Sequence, residues 1–252
     1  MLVTRPQHQS GEYSRLIEQS GGKALQFPSI EIVPLALDNE LTALLSKIKS
    51  YDMLIFISAN AVRSAVSLLH KLNIQPSQIL SDIAVIGKAT YAAAKSADLD
   101  VSIQPANGYN SKALLANEAL QNEQIQSKRI LIVRGCGGLD ELENTLKQRK
   151  AEVNIAEVYR RKIPTQDTGL TRESLSLNWD AYSISDITVT SNESLQNLYD
   201  MLGEPGKSEM LKVNLIVPSQ RCLKLASELG FKSVNVAQSA LTQHMLEALD
   251  IK

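Results

Sequence analysis

Short apolar runs alternate with stretches of helical periodicity along this chain of 252 residues. Five such runs, each followed by an amphipathic segment, are MLIFIS (53–58), IAVIG (83–87), RILIVRG (129–135), ITVTS (187–191) and NLIVPS (214–219). In the segment after the third run, Leu139, Leu142 and Leu146 fall on one helical face. Strands that each lead into a helix are typical of parallel sheets covered by helices, so we predict an α/β protein.

The chain also resembles itself at an offset near 130 residues. Arg5 in LVTRP aligns with Arg134 in LIVRG at an offset of 129, and Ser58 aligns with Ser191 at 133. VIGKAT (85–90) aligns with IVPSQR (216–221), and Pro34 aligns with Pro164. Four matches at nearly one offset indicate a duplicated unit. We therefore predict two similar flavodoxin-like or Rossmann-like lobes with parallel sheets.

Two long extended runs, 24–37 and 152–164, suggest how these lobes are connected. If both runs cross between the lobes, they form a two-stranded antiparallel connector beside a cleft. We predict lobe 1 from residues 1–35 and 164–252, lobe 2 from 36–163, and connector strands at about 27–36 and 156–164. The alternative is two lobes that follow one another along the chain.

Composition excludes several classes of partner. The net charge is −1 and aromatic residues make up 4%, which argues against a nucleic-acid partner. No window reaches the ~20 apolar residues of a membrane span, and the first residues lack the apolar region of a signal peptide. Cys136 and Cys222 match no zinc spacing with the three histidines, so we expect no metal, reduced thiols and a cytoplasmic location.

The glycine-rich stretch at 135–138 suggests a nucleotide loop at first sight. However, a dinucleotide-binding fingerprint needs a third glycine where this chain has Asp140, and the P-loop pattern is absent. Gly135 and its neighbours instead offer backbone N–H groups to an anion at a helix start, next to Arg134.

Similar polar residues stand at the other predicted strand ends, where parallel sheets bind ligands. The candidates are Thr4, Ser58, Asn60, Thr90, Gly135, Ser191, Asn192 and Ser219. For the three serines, helix capping alone is the simpler interpretation, and it is compatible with ligand contact. The basic candidates are Arg5, Lys88, Arg134, Arg160, Arg161 and Arg221. Each could be a solvated surface charge, but together across a cleft they would attract a polyanionic small molecule.

An ordered series of motifs spans nearly the whole chain: LVTRP, ISANAV, VIGKAT, VRGCGG, EVYRRKIP, TSNESL and ELGF. In this order they resemble the uroporphyrinogen-III synthase family. The resemblance implies two α/β lobes with a two-stranded connector, and a lyase that needs no cofactor. It implies the substrate hydroxymethylbilane, a linear tetrapyrrole that bears many carboxylates. The implied reaction loses water and inverts ring D through a spiro intermediate.

The resemblance also implies roles for individual residues. Tyr159 in EVYRRKIP matches the tyrosine at the family's cleft, where its phenol would assist loss of the hydroxyl, and packing beside the connector is the alternative. Arg160 and Arg161 would hold carboxylates, and Thr90 would contact the ligand or cap its helix. We further expect a monomer, with transient contact to the preceding enzyme of the pathway.

The chain departs from the family pattern in two loops. IVPSQRC (216–222) stands where the family has a sequence like IGKAT, so Pro218 removes an N–H and Arg221 replaces a small hydroxyl residue. GCGG lacks the acidic and arginine residues often found there, and Cys136 is interpreted as a small loop filler. The main alternative function is a bilobed non-enzymatic module that binds or senses a small anion, and the second is a nucleotide-sugar transferase.

Overall fold

The computed structural model describes residues 1–138, 140–165 and 170–249. The strands in these ranges are β1 (Leu2–Val3), β2 (Leu25–Gln26), β3 (Glu31–Pro34), β4 (Met53–Phe56), β5 (Asp82–Val85), β6 (Val101–Ile103), β7 (Arg129–Gly135), β8 (Glu152–Lys162), β9 (Asp186–Thr188), β10 (Asn214–Val217) and β11 (Val234–Val236). The predicted α/β class is confirmed, since helices follow these strands in alternation.

The α-helices in the same ranges are α1 (Gln7–Gln19), α2 (Asn39–Ser46), α3 (Ala59–Lys71), α4 (Lys88–Lys95), α5 (Ser111–Leu115), α6 (Asn122–Ile125), α7 (Glu141–Gln148), α8 (Arg172–Leu177), α9 (Asn192–Met201), α10 (Gly203–Met210), α11 (Gln220–Leu229) and α12 (Thr242–Glu247). Short 3-10 helices lie at Ile48–Ser50, Pro76–Gln78, Glu118–Leu120 and Trp179–Tyr182. Leu139, predicted on the apolar face of α7, lies outside the described residues, whereas Leu142 and Leu146 are buried.

The chain divides into two compact units. Unit 1 consists of Met1–Glu31 and Lys162–Lys252, and unit 2 is Ile32–Arg161. Both boundaries fall inside strands, one in β3 and one in β8, and these two strands are neighbours in one sheet. The boundaries between the two units, after Glu31 and after Arg161, lie a few residues before the boundaries predicted at 35/36 and 163/164.

Unit 1 contains a five-stranded sheet in the order β11-β10-β9-β1-β2, and the unit 2 sheet has the order β3-β8-β7-β4-β5-β6. The pairs β1–β2, β1–β9, β4–β5 and β4–β7 are all parallel. Without β3, the two orders correspond strand for strand, with β7 in the place of β1 and β4 in the place of β9. The self-similar segments of the sequence therefore occupy corresponding strands.

Each sheet is buried on both faces, which explains why its strands are apolar at consecutive positions rather than at alternate ones. Along β4, Leu54 and Phe56 face one core cluster, while Met53 and Ile55 face another on the opposite side. The run 24–37, predicted to be extended with a connector strand at about 27–36, contains two short strands. It forms β2, which pairs with β1 in unit 1, and β3, which neighbours β8.

Candidate functional site

The carboxyl ends of the strands in unit 2 bring several predicted site residues together. Ser58 follows β4, Gly87 and Lys88 follow β5, and Gly135 ends β7. These strands are neighbours in the sheet, next to β8, which carries Tyr159. Polar groups at the carboxyl edge of a parallel sheet are placed as binding sites of α/β proteins usually are.

Tyr159 contacts residues at the carboxyl ends of two other strands of this sheet. In the β7–β8 register, Arg134 pairs with Glu157 and Gly135 pairs with Tyr159, so Val158 is an extra residue in β8. Such a bulge redirects the side chains that follow it. The Tyr159 side chain is only 6% exposed, and its ring packs against Gly135. Its phenol oxygen lies 3.1 Å from Oγ of Ser58.

Ser58 is at the same time the N-cap of α3. Its Oγ accepts a hydrogen bond from the backbone N–H of Ala61 at 3.1 Å. Ser191 and Ser219 cap α9 and α11 in unit 1 in the same way. The capping interpretation of all three serines is therefore confirmed, and their contact with a ligand stays a prediction. The backbone N–H groups at these helix starts remain compatible with an anion.

A pocket of about 270 Å³ opens between the ends of β5 and β6. Its lining residues are Ile86, Gly87, Lys88, Gln104, Pro105, Ala106, Asn107, Gly108 and Tyr109. The Tyr109 ring, which is 57% exposed, packs over Gly87, and Nζ of Lys88 lies 5.8 Å from the ring centroid. Lys88 was predicted from the sequence but Tyr109 was not, because the only signal of Tyr109 is its place in the turn-rich stretch QPANGYN.

Arg134 has intramolecular partners that were not predicted from the sequence. Its side chain is 13% exposed, and it forms ion pairs with Asp140 at 3.3 Å and Glu157 at 3.4 Å. Glu157 also affects Cys136: burial raises the pKa of this thiol, and the hydrogen bond and charge of Glu157 raise it further. The charge of Arg134 is thus balanced by two carboxylates. Its ion pair with Asp140 connects the end of β7 to the start of α7.

A second pocket of about 350 Å³ lies beside Arg134 in unit 2. It is lined by Leu35, Asp38, Glu40, Leu41, Leu44, Arg134, Ile155 and Glu157. Three of these residues are acidic and one is basic, so the pocket disfavours a polyanionic ligand. The pocket that contains Lys88 suits such a ligand better.

In unit 1, Arg5 and Thr4 also have internal partners. Arg5 donates to Oγ1 of Thr242 at 3.0 Å and to the carbonyl of Ala240 at 3.1 Å, and its guanidinium stacks on Tyr13 at 4.5 Å. Thr4 is fully buried, and its hydroxyl donates to the carbonyl of Thr188 at 2.7 Å. Arg5 and Arg134 thus both have internal partners, and the contact of either side chain with a ligand stays a prediction.

The remaining candidates differ in exposure. Lys88, Arg160, Arg161, Ser219 and Arg221 are exposed, while Asn60, Ser191 and Asn192 are partly buried. Thr90 lies within the first turn of α4 and is 5% exposed, so its side chain faces the interior of unit 2. The capping alternative for Thr90 is wrong, since Gly87 holds the N-cap position of α4.

Comparison with known proteins points to one family. The family model described as "Uroporphyrinogen-III synthase HemD" matches residues 11–247. Uroporphyrinogen-III synthase of Escherichia coli is 33% identical over 250 residues, which cover 99% of both chains. A putative uroporphyrinogen-III synthase of Methanothermobacter thermautotrophicus is 32% identical over 84% of this chain and 81% of its own.

Two crystal structures share the fold at low sequence identity. Uroporphyrinogen-III synthetase of Helicobacter pylori aligns with a TM-score of 0.61 at 17% identity, over 98% of this chain and 95% of its own. A mutant synthase of Thermus thermophilus aligns with a TM-score of 0.59, also at 17% identity and with the same coverage. Among the described residues, no helix combines the length and apolar character that crossing a membrane requires.

Proposed function

Because this chain belongs to the uroporphyrinogen-III synthase family, we propose that it cyclises hydroxymethylbilane to uroporphyrinogen III, with loss of water and inversion of ring D. The observation that supports this reaction is the placement of Tyr159. Its phenol stands at the carboxyl edge of a parallel sheet, where it meets the N-cap of α3. The relatives named above are synthases, so the alternative of a binding or sensor protein is not carried forward.

Tyr159 is the proposed catalytic residue. As the bond between the ring A methylene and its hydroxyl breaks, the phenol gives its proton to the departing oxygen, which leaves as water. The pyrrole nitrogen supplies the electrons and becomes part of an azafulvene cation. Ring D attacks this cation through its substituted α-carbon, and the spiro intermediate fragments and recloses. The proton that the final ring loses restores the phenol, so protons balance over the cycle.

Beyond the loss of water, the proposed contribution of the enzyme is to use binding energy to hold the substrate in a reactive conformation. The bilane closes spontaneously to the uninverted isomer, so the enzyme must hold its ends in the geometry that leads to inversion. Exposed cations and helix starts supply donors for the substrate carboxylates. The proposed side-chain and loop contacts are Asn60, Lys88, Gly135, Arg160, Arg161, Ser191, Asn192, Ser219 and Arg221. Ser58 and Thr90 are proposed to contact the substrate through their backbone N–H groups at the starts of α3 and α4. Thr4, Arg5 and Arg134 are left out because their polar groups already have internal partners.

The finer architecture is part of the same proposal. Two similar lobes with a two-stranded antiparallel connector and a cleft would let one flexible substrate be held at several carboxylates. The strand orders of the two sheets support their similarity. We place the protein in the cytoplasm as a monomer that meets the preceding enzyme transiently, and the free thiols of Cys136 and Cys222 support that compartment.

The test is an assay with freshly prepared hydroxymethylbilane that scores isomer III against isomer I by chromatography after oxidation. We expect isomer III to dominate with this protein. Tyr159→Phe should lower the rate of isomer III formation several-fold, and Tyr182→Phe, in unit 1, is the matched control. Isomer I alone at the spontaneous rate would refute the proposed function, whereas an unchanged Tyr159→Phe rate would refute only the role of Tyr159.

A further inference from the structure

Ser58 differs from a simple helix cap because it has two partners. Its Oγ accepts from the backbone N–H of Ala61 at 3.1 Å and lies 3.1 Å from the phenol oxygen of Tyr159. The two residues are 101 positions apart in the sequence, so only the fold brings them together. Ser191 and Ser219, its counterparts in unit 1, cap their helices through the N–H groups of Ser194 and Cys222.

The hydrogen-bonding capacity of Ser58 limits what it can do for Tyr159. A serine hydroxyl has one proton and two lone pairs. The cap at Ala61 occupies one lone pair, which leaves the proton and the second lone pair for the phenol. Either oxygen of the Ser58–Tyr159 pair can be the donor on geometry alone. The proposed chemistry decides between them, because a phenol that donates to Ser58 has no proton left for the substrate.

We propose that Ser58 is a positioning residue that donates its proton to the phenol oxygen of Tyr159, so that the phenol proton points at the departing hydroxyl. This inference rests on the proposed function and deepens it. When Tyr159 has given up its proton, the same hydrogen bond stabilises the phenolate. The N-terminus of α3, a helix of 13 residues, adds the positive end of its dipole at that point.

Packing around Tyr159 restricts the position of its ring. Gly135 contacts the ring on one side, and a Cβ atom there would lie within 2.9 Å of three ring atoms. The ring also belongs to the core cluster that includes Phe56 and Val133. This packing holds the ring of Tyr159 in place. Rotation of the hydroxyl about the phenol C–O bond still allows the hydrogen to point in different directions, and the hydrogen bond from Ser58 selects one of them.

Two substitutions of Ser58 separate positioning from capping. Alanine weakens a helix start, whereas glycine at the N-cap costs little. Positioning predicts that Ser58→Gly and Ser58→Ala lower kcat by a similar factor, several-fold and no more than Tyr159→Phe does, with little change in KM. Ser58→Thr, which keeps the hydroxyl, should retain most activity. Thr171→Ala removes the N-cap side chain of α8 and serves as a control for capping loss.

The decisive measurement is a double-mutant cycle on kcat. If Ser58 acts through Tyr159, Ser58→Gly should have no further effect once Tyr159→Phe is present. Equal losses in both backgrounds would overturn the inference, and so would an Ser58→Gly enzyme with unchanged kcat. Failure of the proposed function looks different, because the unmodified protein would then form no isomer III. Thermal melts of all variants exclude unfolding as the cause of lost activity.

Discussion

The ring of Tyr159 lies so close to Gly135 that a Cβ atom added to this glycine would stand 2.5 Å from Cζ of the tyrosine. The φ angle of Gly135 is not among the positive ones, so contact rather than backbone strain requires glycine here. Gly135 is the first glycine of the stretch at 135–138 that suggests a nucleotide loop, and its role here is to allow close packing. It gives the proposed catalytic tyrosine a flat surface to pack on.

We therefore expect Gly135→Ala to displace Tyr159 and break its hydrogen bond to Ser58. Overpacking should cost about 1–3 kcal/mol of unfolding free energy, and isomer III formation should fall at least as far as in Tyr159→Phe. Thermal melts and the isomer assay measure the two effects. Gly11→Ala, in the exposed middle of α1 with no atom within 4 Å of the added Cβ, is the control and should be neutral or stabilising. An active Gly135→Ala enzyme would contradict this account of the packing.

Local features of the site could be predicted from the sequence, and tertiary ones could not. Ser58, Ser191 and Ser219 were predictable as caps, because each is a serine that ends an apolar run before a periodic segment. The partners of Tyr159 and Arg134 were not predictable. Ser58 lies 101 residues from Tyr159, and Glu157 meets Arg134 only through the parallel pairing of β7 and β8.

The extended run at 24–37 illustrates the same limit for the fold. Its β-branched and aromatic residues indicate strand, but propensity does not say which sheet a strand joins. Leu25 and Gln26 pair with β1, whereas the stretch at 31–34 belongs to the other sheet. Phe27 and Ile30, between the two strands, are buried. The break arises from a change of sheet, and the turn-forming residues Pro28 and Ser29 mark a break there without indicating that the chain changes sheet.

Thr4 is predicted to act on stability and not on catalysis. Its hydroxyl contacts the carbonyl of Thr188 at 2.7 Å and Oγ of Ser194 at 3.0 Å, and Ser29 continues the network at 2.8 Å from Ser194. Thr4→Val keeps the shape but leaves these groups short of a partner, which should cost about 1–3 kcal/mol. Chemical denaturation measures the loss, and KM for hydroxymethylbilane should not change.

Thr145→Val is the control for the Thr4 variant. The Thr145 hydroxyl bonds locally to the carbonyl of Glu141 on the exposed side of α7. Its loss should cost less than about 0.5 kcal/mol, as for most surface substitutions. A Thr4→Val protein of normal stability with a raised KM would show that Thr4 contacts substrate after all.

Arg5 is predicted to hold the C-terminal helix. Its guanidinium bonds Thr242 and Ala240 and stacks on Tyr13, so it ties the start of α12 to α1. Arg5→Lys cannot reproduce the planar fork, because an ammonium group is a compact point charge. Hydrogen exchange at the amides of α12 should therefore accelerate. Arg15→Lys, an exposed position on α1, should leave that exchange unchanged, and equal acceleration in both variants would remove the special role of Arg5.

Cys222 is predicted to make stability fall at alkaline pH. It is fully buried, and burial raises the pKa of its thiol from 9.0 to about 11. Between these values the folded protein keeps a proton that the unfolded chain has lost, so unfolding free energy decreases as pH rises. The contribution is fully present below pH 9 and is gone above about pH 11, and it amounts to at most about 2–3 kcal/mol.

Cys222→Ala removes this titration. The variant should be less stable at neutral pH because it leaves a small cavity, but its stability should fall less steeply between pH 9 and 11. Tyr13 provides the comparison, since burial raises the pKa of its phenol from 10.0 to about 12. Tyr13→Phe should therefore flatten the curve above pH 10 and leave the slope between pH 9 and 10 intact. If Cys222→Ala and the unmodified protein show the same slope between pH 9 and 10, the buried thiol does not control alkaline stability.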